Sequence, residues 1–354
     1  MASMSNKFRK ALATASLCAL AATAAPVLAQ MGGAPPVPPP PGGYPPELSQ
    51  LQPVPDTYTP EKTAWGDPDF RGGWPIDNIA SLPMNRPKNY GDRFYLSDEE
   101  FAQRQAQANR SDAAYDAEDK AGTIGMGHWV ESDASGRRTS LLVDPADGQL
   151  PAMTPEAQKK YQEGRSSWNR HPFNWVSDFD TWDRCVTRGF PASMFPFRYN
   201  NGIKVMQAPG YFVIALEMIH DARIIPVVSK DKWAELQKTR WPENVRTWMG
   251  QSLAYWDDDN TIPTSTKAKV IERLTMTGPD SIVYELTYSD PEVFTAPWTA
   301  RLDWTRNDEY EFFEYACHEG NVQVRNYITA DRAGRLGDLQ DAQLEGDAPS
   351  GGSQ

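Results

Sequence analysis

Through the second half of the chain, short runs alternate apolar with polar side chains and are cut by turn residues, the pattern of antiparallel strands joined by hairpins. Residues 203–207 and 211–216 flank Ala208-Pro209-Gly210, and residues 270–276 and 281–288 flank Thr277-Gly278-Pro279-Asp280. In residues 298–304, Trp298, Ala300, Leu302 and Trp304 share one side, while Thr299, Arg301 and Asp303 share the other, which is expected to face water. Runs at 140–143, 219–228, 311–317 and 322–328 bring the expectation to about eight or nine strands, enough to close a barrel or stack a sandwich. The fold class is therefore mainly β, an antiparallel, barrel-like (lipocalin-like) meander, with a two-sheet β-sandwich as the alternative. Helix signals are few and lie early. Ser97-Asp98-Glu99-Glu100 is an N-terminal capping pattern leading into residues 101–109, and Thr154-Pro155-Glu156 starts a helix reaching about Glu163. Both helices are expected at the periphery.

Outside the alternating body the composition changes. Residues 1–29 have the form of a signal peptide, with Lys7, Arg9 and Lys10 ahead of an apolar stretch and small residues up to Ala29. That stretch is shorter than the roughly 20 residues a membrane span needs. Residues 31–60 hold eleven prolines, so 30–60 is expected to be a Pro-rich disordered tether. The polar tail 336–354 is expected to be disordered as well. Residues 61–335 remain as a single β-rich domain of about 270 residues, ample for a core.

Removing the signal takes the formal net charge from −12 to −15. An acidic chain of this kind argues against nucleic acid and against anionic membrane surfaces, and no stable membrane insertion is expected. Export also removes Cys18, leaving Cys185 and Cys317 in an oxidising compartment. A disulfide between them would close a loop of 131 residues, worth about 4 to 5 kcal/mol on the chain-entropy model. Two separate buried thiols are the alternative.

Candidate chemistry concentrates in two runs. In 211–226, read as extended, Phe212, Ile214, Leu216, Met218 and His220 share an apolar face, while Glu217, Asp221 and Arg223 share the other. A histidine on the apolar face needs a partner from elsewhere in the chain. In 311–321 the same reading puts His318 on one side with Glu314. If both faces line one cavity, His220 and His318, with Glu319 or Glu314, could act as general acid and base while Arg223 orients a substrate. The plain alternative is a hydrogen-bonded core histidine, a strand-end histidine and ordinary cross-strand ion pairs. No metal-ligand spacing is visible, and no cofactor is called for.

Aromatic residues crowd a proline-broken stretch that includes Trp175, Trp182, Phe195 and Tyr199. Such a stretch suits a long ordered loop, either a lid that stacks a small apolar or aromatic ligand, with Glu217 nearby, or a plug on the core.

These residues resemble a widespread family of exported bacterial proteins with EMIHDARIIP-like and YACHEGN-like motifs. The resemblance rests on residues 138–145, Asp183-Arg184-Cys185, Tyr199-Asn200-Asn201, residues 217–226, Trp248-Met249-Gly250, Pro297-Trp298-Thr299 and residues 315–321, and it spans roughly 65–328. It implies an exported protein but no particular reaction. Family members carry a longer strand-and-loop insertion after the position of Trp256, so the resemblance implies a missing strand there and an open sheet edge. The expected function is the binding of a small apolar or aromatic molecule by an exported protein. The alternative is a cofactor-free acid-base enzyme, a lyase, isomerase or hydrolase.

Overall fold

The computed structural model describes residues 39–123, 136–164, 172–242, 244–245, 247–256, 261–266 and 270–346. The expected signal peptide, the first part of the tether and the last eight residues of the tail lie outside these. The described strands are β1 (Gly72–Gly73), β2 (Leu142–Asp144), β3 (Ile203–Ala208), β4 (Tyr211–Leu216), β5 (Ala222–Ser229), β6 (Ser252–Trp256), β7 (Thr261–Thr266), β8 (Val270–Gly278), β9 (Ser281–Tyr288) and β10 (Trp298–Thr305). The described helices are α1 (Asp98–Lys120), α2 (Pro155–Gln162), α3 (Trp233–Leu236), α4 (Cys317–Gly320) and α5 (Gln323–Gly346).

Both expected hairpins form, β3 with β4 and β8 with β9. The strands follow the order β1-β3-β4-β5-β6-β7-β8-β9-β10-β2. All pairings are antiparallel except β5 with β6, where residues 227–229 run parallel to 254–256. Two antiparallel groups are thus joined by one short parallel seam, which fits the two-sheet alternative. Among the described residues the order ends on β1 and β2, so no ladder closes a barrel. The chain beyond β10 does reach β1, where the Asn307 amide donates to the Gly73 carbonyl at 2.9 Å and the Gly73 amide donates to Asp308 Oδ1 at 2.9 Å. Only glycine allows this approach, since a Cβ at Gly73 would lie 2.5 Å from the Asn307 carbonyl oxygen. The missing strand implied after Trp256 is corrected by β7, which pairs with both β6 and β8.

The core follows the period-2 pattern. Ile203, Val205, Phe212, Ile214, Leu274, Ile282, Leu286, Leu302 and Trp304 point inward and are almost wholly buried, joined by Phe70, Trp74 and Ile76 from the segment around β1. The N-terminal helix begins where its capping pattern places it. Ser97 Oγ accepts from the Glu100 amide, and Glu100 returns a carboxylate oxygen to the Ser97 amide at 2.9 Å. Arg93 clamps the same carboxylate at 2.6 and 2.8 Å. Thr154 caps α2 through the Ala157 amide.

Several expectations are corrected. The polar side of β10 is covered at its centre rather than wet throughout, because Arg301 is buried, ion-paired to Glu285 and hydrogen-bonded to the Gln52 carbonyl. That contact also shows that the second half of the expected tether is docked. Leu48 accepts from the amides of Phe94 and Tyr95, and the Arg93 guanidinium lies 3.5 Å from the Tyr44 ring centroid. The run through 211–226 is not one strand, since residues 218–220 form a tight turn with Ile219 and His220 at φ 61° and 55°. The reversal shifts the phase by one residue, so Arg223, Ile225 and Val227 face inward while Ile224 is exposed. Finally, 311–316 is irregular, and the expected strand at 322–328 is helical from Gln323 on. Helix α5 continues through the expected disordered tail to Gly346.

Candidate functional site

The aromatic loop divides its labour. Phe190, Met194 and Phe195 plug the core: Met194 is fully buried, Phe195 packs 6.1 Å from Trp298, and Phe190 lies 4.1 Å from the Arg223 guanidinium. Phe179, Trp182 and Tyr199 face away from the plug and meet Tyr315 and Tyr327 from the far end of the chain around an open pocket of about 400 Å³. Asp183, Asn321, Gln323, Val324 and the disulfide cysteine Cys317 complete its wall.

The chain closes this pocket by three means. Cys185 and Cys317 are joined by a disulfide with their Cα atoms 5.7 Å apart, tying the loop to α4. Asn321, just before α5, donates to the Asp183 carbonyl at 3.0 Å and to Cys185 Sγ at 3.2 Å. The Phe173 and Phe179 rings stack at 4.5 Å, and Tyr327 of α5 packs against both. Trp182 is 5.7 Å from Tyr315, which lies nearly parallel to Tyr199 at 6.3 Å. Burial, reinforced by Tyr199, pushes the Tyr315 phenol above its ordinary pKa, so it stays a neutral donor.

Behind this wall sits Arg188, its guanidinium 5.9 Å from the Trp182 ring and 5.1 Å from Phe197. Burial draws its pKa below the usual arginine value, and among the described residues no carboxylate pairs with it. Asn321 and Val324 also border a second pocket of about 460 Å³ on the other side, lined by Trp175, Val176, Arg184, Arg325, Ile328, Thr329 and Arg332.

The sequence candidates fall into three groups. Trp182 and Tyr199 line the aromatic pocket, and Trp175 lines its neighbour. Phe195 belongs to the plug. Glu217 is fully buried as a structural clamp, accepting from Asn200 Nδ2 at 3.0 Å, the Gly202 amide at 2.9 Å, Tyr310 Oη at 2.8 Å and the Phe313 amide at 2.9 Å. Of the expected catalytic set, only Arg223 is buried. His220 and His318 are both exposed, as are Glu314 and Glu319, and His220 Nε2 accepts the Tyr315 amide at 3.3 Å.

Arg223 is buried in the interior, where it forms a two-point ion pair with Glu272 and bonds Ser252 Oγ at 2.6 Å. Burial pulls its pKa down, but the Glu272 carboxylate outweighs that and holds it above the ordinary value. Tyr284 donates to the same carboxylate, and burial together with Glu272 raises its pKa well above 10.0. Glu272, Ser252 and Tyr284 were missed by the sequence reading. The signal was present for Glu272, because it stands in phase with Val270 and Leu274 on the apolar face of its strand.

Among the described residues, no group of three or more His, Cys, Asp or Glu is placed to hold a metal ion, and no helix is long and apolar enough to cross a membrane. Comparison with protein-family models and with curated proteins gives no match.

Proposed function

We propose that this chain is an exported binding protein that holds a small aromatic or apolar molecule in the pocket framed by Trp182, Tyr199 and Tyr315. The observation that carries the reading is the convergence of rings from residues more than a hundred positions apart onto one open cavity, anchored by the disulfide. Rings on several sides of a cavity stack a flat guest and exclude water from it. The signal-like N-terminus, the disulfide and the resemblance to exported proteins support a location outside the cytoplasm. The acid-base alternative has no comparable support, since its two imidazoles face solvent.

The test is titration with N-phenyl-1-naphthylamine, a neutral fluorescent aromatic amine, in the native protein and in Trp182→Leu and Tyr199→Leu variants. Saturable enhancement in the native protein, weakened about tenfold in each variant, is expected from the loss of buried ring contact. Absence of saturable binding, or equal binding by all three proteins, overturns the reading.

A further inference from the structure

The pocket beside the aromatic one differs from it in charge. Arg184, Arg325 and Arg332 line it, together with Trp175, Val176 and Ile328, and none of its lining residues is a carboxylate. In a chain of net charge −12 such a grouping stands out against the arginines that are ion-paired. Arg71, Arg93, Arg138, Arg223, Arg301 and Arg306 each hold an Asp or Glu. By contrast, Arg184 donates to the Asp180 carbonyl and Arg332 to the Asn174 carbonyl, both neutral acceptors. Arg325 is exposed on the first turn of α5, and no carboxylate pairs with it among the described residues. Arg188, also without a carboxylate, adds a fourth positive charge behind Trp182. The single carboxylate among the described residues of the aromatic pocket's wall is Asp183. The two pockets share Asn321 and Val324, so one molecule can rest its rings against Trp182 and Tyr315 and reach the arginines across Val324.

We infer that the ligand is an organic anion with an aromatic or apolar body, its carboxylate or sulfonate taken by Arg184, Arg325 and Arg332. The inference rests on the binding reading above and adds the charge of the guest. Guanidiniums offer a planar fork that matches such oxyanions, and a site bordered by apolar side chains strengthens the contact.

The experiment compares two probes with the same ring skeleton, 8-anilinonaphthalene-1-sulfonate and the neutral N-phenyl-1-naphthylamine, on the full-length protein. The sulfonate is expected to bind about tenfold more tightly than the neutral probe, with the advantage shrinking as salt rises. Arg325→Gln and Arg332→Gln should each remove most of that advantage and leave neutral-probe affinity unchanged, whereas Trp182→Leu should weaken both. Equal affinity for the two probes, or a sulfonate preference that survives both arginine substitutions, overturns the charge inference while leaving the aromatic pocket standing. Failure of both probes to bind overturns the pocket itself.

Discussion

Arg223 on β5 and Glu272 on β8 meet through two hydrogen bonds of 2.7 and 2.5 Å, although β6 and β7 separate their strands in the sheet order. In a flat sheet those strands would lie about 14 Å apart. Contact therefore requires the sheet to curl around this pair, and both side chains are almost wholly inaccessible. A pair of this kind is costly to break from one side, because the survivor is left as an uncompensated charge in the interior. Arg223→Met and Glu272→Leu should each lower the unfolding free energy by about 3–5 kcal/mol. The double variant should be more stable than either single one. Urea unfolding of the three proteins measures this, and additive losses would contradict it.

Among the phenols that hold their protons more tightly in the fold than in the unfolded chain are Tyr284, Tyr288 and Tyr315. Burial raises Tyr288, with Asp290 adding to it, to a pKa of about 12, and Tyr284 and Tyr315 shift in the same direction. A group whose folded-state pKa is raised stabilises fully below its unfolded value and loses that contribution as pH climbs through the folded one. Stability should therefore be level up to about pH 10 from these groups and fall between there and about pH 12. Tyr288→Phe should make the fall shallower. Denaturant midpoints across this range, with tyrosinate absorbance followed in parallel, provide the check.

Glu217 joins the end of β4, the 200–202 turn and the 310–313 segment through four accepted hydrogen bonds. Both of its oxygens must accept, so an amide cannot replace the carboxylate without turning a donor toward donors. Glu217→Gln should cost about 2–4 kcal/mol, as two buried donors lose their partner. Gly202→Ala should show a similar defect, because its Cβ would lie 2.7 Å from Glu217 Oε2 and from Tyr310. Hydrogen exchange should locate both effects at residues 310–315 and spare the β8–β9 hairpin.

The hairpins, β10 and the two capped helices were legible because each is decided by neighbours in sequence: period-2 alternation, a turn signal, a cap. The turn at Ile219 and His220 was not, since Ile is among the residues least suited to positive φ and the surrounding run is apolar throughout. It is Leu216 pairing with Asp221 that holds the turn, through the amide of the first and the carbonyl of the second. Residues 322–328 alternate apolar and polar well enough to suggest a strand. Their helical state follows from packing of Tyr327 on Phe173 and Phe179, 148 and more residues earlier in the chain. The pocket was legible in part. Ring density marked Trp182 and Tyr199, but the contribution of Tyr315 was obscured because its segment was expected to be a strand carrying His318.

The same long-range dependence makes the disulfide the strongest test of how the pocket is assembled. Cys185–Cys317 and Asn321 fasten α4 and the start of α5 to the aromatic loop, alongside the Phe173, Phe179 and Tyr327 stack and the contacts of Asp331, Arg332 and Arg335 with residues 173–174. Replacing both cysteines by serine removes a crosslink across 132 positions, worth up to about 4 to 5 kcal/mol on the chain-entropy model. The inward faces of β3 to β10 do not depend on that link, so the loss should be uneven. Amides of α5 and of 179–187 should exchange much faster, and N-phenyl-1-naphthylamine should no longer saturate. The β3–β4 and β8–β9 amides should keep their protection. Uniform loss of protection would mean that the C-terminal segment is part of the folding core, and unchanged probe binding would show that the aromatic contacts alone hold the pocket together.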